Sequence, residues 1–252
     1  MLSQERHIRI VQEVNAKGFV SVRELAKTFD VTEDCIRKDL RVLEDQNQLE
    51  RIHGGASALR QNIHAYAVEN RQTLHVEEKK IIADKIVQNI PDDALIFLDI
   101  STISIMAAKK LAASHRHLSV MTNMTGVIEV LKDQKDIRLL CTGGELNDSR
   151  DGFTGALAAE AIARMRFDQA YLGAVGIDTE DGMITTYDAD DVLTKKTILN
   201  QTRESYLMAE HQKFSQEGHC IYASLDEYTG LITDAMTSRQ KKQISDAGLR
   251  IL

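Results

Sequence analysis

Arg37, Lys38 and Arg41 are three basic side chains inside one five-residue window, interleaved with Ile36, Leu40 and Leu43. At about 100° per residue on a helix, the apolar three share one face and the basic three fall on the other. A helix with outward guanidinium groups suits the DNA major groove, where Arg pairs with guanine O6 and N7 and Lys holds phosphate. Glu33 and Asp34 open the same stretch, with Cys35 beside them. Glu33 favours the positive start of the helix. Asp34 either repels phosphate or accepts from cytosine N4, and the sequence leaves that open. Taken alone, a helix with three basic residues is more often a merely solvated surface, so the flanking elements decide.

Those elements are short. His7, Ile10, Val11 and Val14 form a helical stripe that Lys17-Gly18 ends. Phe19-Val20 is extended. Ser21-Val22-Arg23-Glu24 matches a capping box opening a second helix, whose apolar face is Val22, Leu25, Ala26 and Phe29. Asp30-Val31 makes a tight turn, and Thr32 caps the helix that carries Arg37. Leu49–Ala56 then gives a strand and a Gly54-Gly55 turn, a wing placing Arg51 and His53 against phosphate or the minor groove. Two helices about a tight turn, followed by a wing, make a helix-turn-helix whose second helix enters the major groove. The stretch 58–76 is polar and aperiodic, and reads as a linker.

From residue 77 onward, short apolar runs alternate with helical stretches. Strands are predicted at Ala94–Leu98, Leu118–Thr122, Ile137–Cys141, Ala170–Val175, Ser205–Met208, Cys220–Ala223 and Leu231–Thr233. Helices are predicted at Glu77–Asn89, Ile103–Ala113, Ala156–Met165, Val192–Thr202 and Ser238–Asp246. This alternation predicts an α/β domain with a mostly parallel sheet, which binds ligands at the carboxyl ends of its strands. The loops there are polar and small: Asp99 to Ser104, Thr122-Asn123, Gly143-Gly144, Gly173 to Asp178, Glu210 to Lys213 and Thr233-Asp234. Each is weak alone; their recurrence after successive strands is the signal.

The chain has 252 residues, 43% hydrophobic and 27% charged, an ordinary globular composition. Residues 1–60 hold ten Lys/Arg and ten Asp/Glu, so the whole net charge of −7 falls on the remainder. That balance argues against non-specific coating of nucleic acid and leaves local arrangement to decide. No apolar run approaches the roughly 18 residues of a membrane-spanning helix. The charged start, MLSQERHIRI, lacks an apolar signal core, so a cytoplasmic location is expected. Cys35, Cys141 and Cys220 are too far apart for a disulfide framework or zinc cluster. No metal or cofactor is expected.

The N-terminal pattern resembles the signature of DeoR-family transcriptional regulators. The matching pieces are Glu5-Arg6, Val20-Ser21-Val22, Glu24-Leu25-Ala26, Val31-Thr32, Ile36-Arg37-Lys38-Asp39-Leu40, Leu43 and Arg51-Ile52-His53-Gly54-Gly55-Ala56. The likeness continues through Phe97-Leu98-Asp99, Ser101-Thr102, Thr122-Asn123, Gly143-Gly144, Phe153-Thr154-Gly155, Gly173 to Asp178, Lys213-Phe214 and Ile232-Thr233-Asp234. The resemblance implies three segments: a winged helix-turn-helix over 1–57, a linker over 58–76, and an effector-sensing α/β domain over 77–252, similar in fold to ribose-5-phosphate isomerase. It implies DNA contacts by Ser21, Thr32, Asp34, Cys35, Arg37, Lys38, Arg41, Arg51, His53 and Gly54. It implies a phosphorylated sugar effector held by Asp99, Ser101, Thr102, Ile103, Thr122, Asn123, Gly143, Gly144, Asp178 and Lys213. The expected partners are double-stranded operator DNA, that effector, and further copies of the chain in a dimer or tetramer.

This chain departs from the family pattern at Cys35, in the turn Gln46-Asn47-Gln48, at Ser101 and Ile103, and at Glu210 and Gln212. These changes bear on operator preference and on effector identity. The expectation is a repressor of a carbohydrate-use operon, not an enzyme. Two alternatives stay open at this level. One is a sugar-phosphate isomerase using Asp178, Glu210, Lys213 and Asp234 as acid–base groups. The other is a DNA-binding protein with a vestigial sensor.

Overall fold

The computed structural model describes residues 3–17, 19–46, 48–52, 54–57 and 68–252. The chain divides into two compact units, residues 1–62 and 63–252.

The N-terminal unit runs α1 (Ser3–Lys17), β1 (Phe19–Ser21), α2 (Val22–Phe29), α3 (Glu33–Asp45), β2 (Glu50–Ile52) and β3 (Gly55–Ser57). Local chemistry fixes each boundary. The predicted capping box is present: the Ser21 hydroxyl accepts from the Glu24 amide, and the Glu24 carboxylate accepts from the Ser21 amide. Asp30 closes α2 in the left-handed region at φ 52°. Thr32 caps α3 by accepting from the Cys35 amide at 3.2 Å. The strands pair antiparallel in the order β1-β3-β2, with the wing turning at Gly54, φ +84°. Ile10, Val14, Leu25, Ile36, Leu40, Leu43 and Leu49 are buried together, so the apolar faces read from periodicity form one core. Gly18, Asn47 and His53 lie outside the described residues.

The C-terminal unit begins earlier than the pattern suggests. Residues 68–73 form a helix, α4 (Val68–Thr73), and its Arg71 is buried against this unit. The far part of the expected 58–76 linker is thus helical, and a long-range ion pair from Arg71 ties residues that have no apolar period of their own. After α4 come α5 (Val76–Asn89), β4 (Leu95–Leu98), α6 (Thr102–Ala112), β5 (Leu118–Thr122), α7 (Thr125–Leu131) and β6 (Ile137–Cys141). A hairpin of β7 (Glu145–Leu146) and β8 (Phe153–Thr154) leads to α8 (Gly155–Ala163) and β9 (Phe167–Gly173). Then follow β10 (Gly176–Ile177), β11 (Met183–Thr186), α9 (Ala189–Asn200), β12 (Thr202–Met208), β13 (Cys220–Ser224), β14 (Gly230–Ile232), α10 (Ser238–Asp246) and β15 (Arg250–Ile251).

Seven strands form one sheet, β15-β14-β12-β9-β4-β5-β6, with every neighbouring pair parallel. Alternate side chains feed two cores. Ile96, Leu98, Val120 and Met208 pack with Ile82, Ile86 and Leu111 of α5 and α6. Phe97, Met121, Leu172 and Leu207 pack with Ile162, Ile198 and Ile244 of α8, α9 and α10. Both faces are covered, which is why these strands read as unbroken apolar runs. Cys220–Ala223, predicted as a strand, lies in a separate antiparallel sheet, β10-β11-β13. The strand order reverses between β4 and β9, and their carboxyl ends form the switch point at which such sheets commonly bind ligands.

Candidate nucleic-acid interface and effector site

In the N-terminal unit, α3 is held from behind by charge. Asp39 is buried and accepts from Arg6 Nε at 2.6 Å, Arg6 Nη2 at 3.1 Å and His7 Nε2 at 2.9 Å. Burial works to raise the Asp39 pKa, but the hydrogen bonds and charges of Arg6 and His7 outweigh it and hold the carboxyl below its ordinary value. Cys35 Sγ turns toward the same carboxylate at 4.0 Å, so its thiol points inward. The exposed face carries Arg37, Lys38 and Arg41. Lys38 and Arg41 have no partner among the described residues. Arg37 is bound to Asp34 at 2.7 Å and Glu33 at 2.8 Å. Asp34 thus acts first on Arg37, holding its guanidinium along the helix. Arg51 is similarly tied to Glu44, through its amide at 3.1 Å and Nη1 at 3.4 Å. Ser21 and Thr32 use their hydroxyls as caps at the starts of α2 and α3. Such exposed ion pairs contribute little and exchange readily for phosphate.

In the C-terminal unit, the loops after the strands do converge, but not all as expected. Asp99, at the end of β4, bridges the switch point: its Oδ2 accepts from the Gly173 amide at the end of β9 at 3.2 Å and pairs with buried Lys195. Lys195 is shared with Asp191 at 3.6 Å. Burial pushes Asp191 up to about 6 even though Lys195 pulls it down. The other oxygen of Asp99, Oδ1, is buried without a partner. Ser101 caps α6 through the Ile103 amide at 3.2 Å and packs on Gly173.

Gly152 explains how the β7–β8 loop closes over this end. A Cβ there would lie 2.4 Å from Ile100 Cδ1 and 2.8 Å from the Asn123 carbonyl oxygen. The neighbouring Asp151 is buried and pairs with Arg71 of α4. Lys79 of α5 is buried, 3.5 Å from Glu210, and donates to the carbonyl oxygens of Arg71 and Leu74 at 2.6 Å each. Lys213 completes the group. Burial of its ammonium lowers its pKa, Glu210 opposes that, and Lys79 and Arg71 add to it by repulsion. Lys79 is lowered too, chiefly by burial. Arg71, Lys79 and Lys213 thus lie near one another, with Asp151 and Glu210 as buried acidic partners, and Lys213 also donates to Gln216 Oε1 at 3.0 Å. Arg71 Nε, Asn123 Oδ1, Thr142 Oγ1 and Gln212 Oε1 are all buried without partners around the same strand ends. Buried polar atoms are normally satisfied, and these have no partner among the described residues.

The structure gives several of the expected effector residues structural partners of their own. Ile103 is a core residue, as an apolar side chain in the first turn of α6 should be. Thr102 is buried in that same turn. The Thr122 hydroxyl is already committed, donating to the Leu98 carbonyl at 2.6 Å and accepting from the Met124 amide at 3.0 Å. Gly144 serves packing: a Cβ there would meet the Ala158 amide at 3.2 Å. Gly143 has open space around it, at φ +63°. Asp178 belongs to a different place, a cleft of about 540 Å³ lined also by Phe214 and Arg239. It caps its own turn, accepting from the Glu180 and Asp181 amides at 2.7 and 3.1 Å. Asp234 binds His211 at its amide and ring. The four groups Asp178, Glu210, Lys213 and Asp234 therefore do not form one acid–base constellation. Sequence reasoning missed Arg71, Lys79, Asp151 and Lys195. Their only early signal was charge at an apolar helix position or inside a polar loop.

A winged helix with a basic reading face, joined in sequence to a doubly wound α/β unit with a polar crevice, defines a DNA-binding regulator with its own sensing domain. A family model described as the DeoR-like helix-turn-helix domain matches residues 6–62, and one described as the DeoR C terminal sensor domain matches residues 74–235. The chain is 33% identical over 235 residues to the glycerol-3-phosphate regulon repressor of Escherichia coli (strain K12), covering 93% of this chain and 92% of that one. It is 29% identical over 248 residues to the HTH-type transcriptional repressor CsqR of the same organism, covering 98% and 94%. Among solved structures it is similar to ribose 5-phosphate isomerase A of Methanocaldococcus jannaschii, with a TM-score of 0.40, 11% identity and coverage of 54% and 53%, a likeness too faint to argue from. The chain belongs to the DeoR family and is a DNA-binding transcriptional repressor. Among the described residues, no helix is long and apolar enough to cross a membrane.

Proposed function

We propose that this repressor controls a carbohydrate-use operon in the cytoplasm and is released by a phosphorylated sugar or related ester bound at the crevice of the C-terminal unit. The observation that carries this reading is the meeting of three cations, buried Arg71 and Lys79 and half-buried Lys213, beside polar atoms that have no partner among the described residues. A phosphate ester brings a charge of about −1.5 to −2 and several strong acceptors, which suits Arg71 Nε and the Lys213 ammonium. Hydroxyls of the same molecule would donate to Asn123 Oδ1 and Asp99 Oδ1, atoms that can only accept. A regulon for glycerol 3-phosphate, named for a relative of 33% identity, fits that chemistry.

On the DNA side, Lys38 and Arg41 make the first contacts, and Arg37 and Arg51 join by exchanging their carboxylate partners for phosphate. Two or four copies act together, because one reading helix offers too few contacts for selective binding. The test is thermal unfolding of the whole protein with glycerol 3-phosphate and a panel of phosphosugars, each alongside its dephosphorylated counterpart. A phosphate-dependent stabilisation, lost in Lys213→Gln, is expected. Equal stabilisation by the dephosphorylated compounds, or none by any ester, would remove the phosphate reading.

A further inference from the structure

We infer that α4 is the element through which the crevice acts on the DNA-binding unit, with Lys79 as its latch. This rests on the effector reading above and extends it to regulation. In sequence, α4 is the first described element after the segment 58–67 that leads from the winged unit. Its end is tied to the C-terminal unit by the same groups that line the crevice. The carbonyls in the last turn of a helix lack partners within it. Here the carbonyl of Arg71, and that of Leu74 just beyond the helix, are met by the Lys79 ammonium at 2.6 Å each. An ammonium has three hydrogens. With two on these carbonyls, the third faces Glu210 at 3.5 Å. A phosphate that draws on Lys79 must therefore take a hydrogen from α4 or from Glu210. A phosphate on Arg71 Nε would use a donor that no described residue holds, leaving the Nη2 bond to Asp151 in place. Filling the site and holding α4 are thus competing uses of the Lys79 ammonium, and an anion that draws on it biases one equilibrium through the other.

The experiment uses the full chain, with Lys79→Met and, as a second variant of similar length, Arg71→Gln. Hydrogen exchange is read over residues 71–79, and affinity for DNA is read on a duplex that the wild type selects from a random pool. Without any ligand, both variants should exchange faster over 71–79 while the central strands stay protected. Both should bind the duplex more weakly, within the 5- to 150-fold range usual for a coupling free energy. Unchanged exchange in both variants would remove the latch, and faster exchange with wild-type DNA affinity would remove the coupling. A phosphate ester that stabilises the wild type should alter exchange over the same residues, and stabilisation without that change would also overturn the inference. Failure of every ester to bind would sink the effector reading alone, because the ligand-free arms judge α4 independently.

Discussion

The two units handle buried charge in opposite ways. In the winged unit the buried carboxylate Asp39 is fully engaged by Arg6 and His7, and the free cations Lys38 and Arg41 stand outside on α3. In the C-terminal unit the cations Arg71, Lys79 and Lys213 are turned inward, and the polar atoms around them are left open. The difference teaches where each unit expects its partner. DNA is a large external polyanion, so the reading unit completes its interior and presents charge to solvent. On the proposed reading a small anion is enclosed, which fits an interior left incomplete at the cost of repulsion among its own cations.

Asp39→Ala should break this contrast most strongly. Removing one partner of a buried ion pair costs about 3–5 kcal/mol. The winged unit should then unfold before the α/β unit, seen as a second, earlier transition in urea followed by a probe in each unit. A single unchanged transition would show that Asp39 does not carry the unit. Next in size is Arg41→Ala, expected to weaken operator binding by about 1–3 kcal/mol and to reduce the salt slope of affinity by roughly one. Equal affinity at every salt concentration would remove α3 from the interface.

Lys213→Met sharpens the other side. Removing an ammonium that faces two other cations should leave the ligand-free unit about as stable as the wild type, while phosphate-ester binding falls. Marked destabilisation would make Lys213 a structural residue.

The smallest effects are in pH, and their signs oppose. Asp39 is held below its ordinary 3.8, so the stability it supplies is complete above that value and is lost as pH falls through the lower, folded one. Asp191 is raised from 3.8 to about 6, so its contribution is complete below 3.8 and is lost as pH rises through 6. Unfolding measured between pH 3 and 7 should therefore show the α/β unit declining toward neutral pH, with Asp191→Asn flattening that slope. The winged unit should weaken only at the acid end.

Within the winged unit the sequence was almost sufficient. The capping box of Ser21 and Glu24, the Thr32 cap and the stripe of Ile36, Leu40 and Leu43 are local features, and local rules place them. What local rules could not show is that Arg37 lies against Glu33 and Asp34, since a spacing of three or four residues permits that pair without requiring it. In the α/β unit, periodicity located six of the seven sheet strands and the polar loops at their ends, but not the short edge strand β15. It did not show that Ile103 packs in the core, that Thr122 bonds Leu98, or that Asp178 caps its own turn, because a loop's position after a strand does not say which way its side chains point.

By itself, then, the sequence determined the reading helix with its basic face and an α/β unit with a parallel sheet whose strand ends carry polar loops. The tertiary structure alone decided which charges meet. Arg71 finds Asp151 eighty residues away, and Lys195 finds Asp99 at a separation of 96. No periodicity records such pairs, because hydrophobic patterning reports only which face of an element is buried. Which charged groups share that burial depends on how the strands are ordered in the sheet, and this chain sets that order by packing helices over both faces.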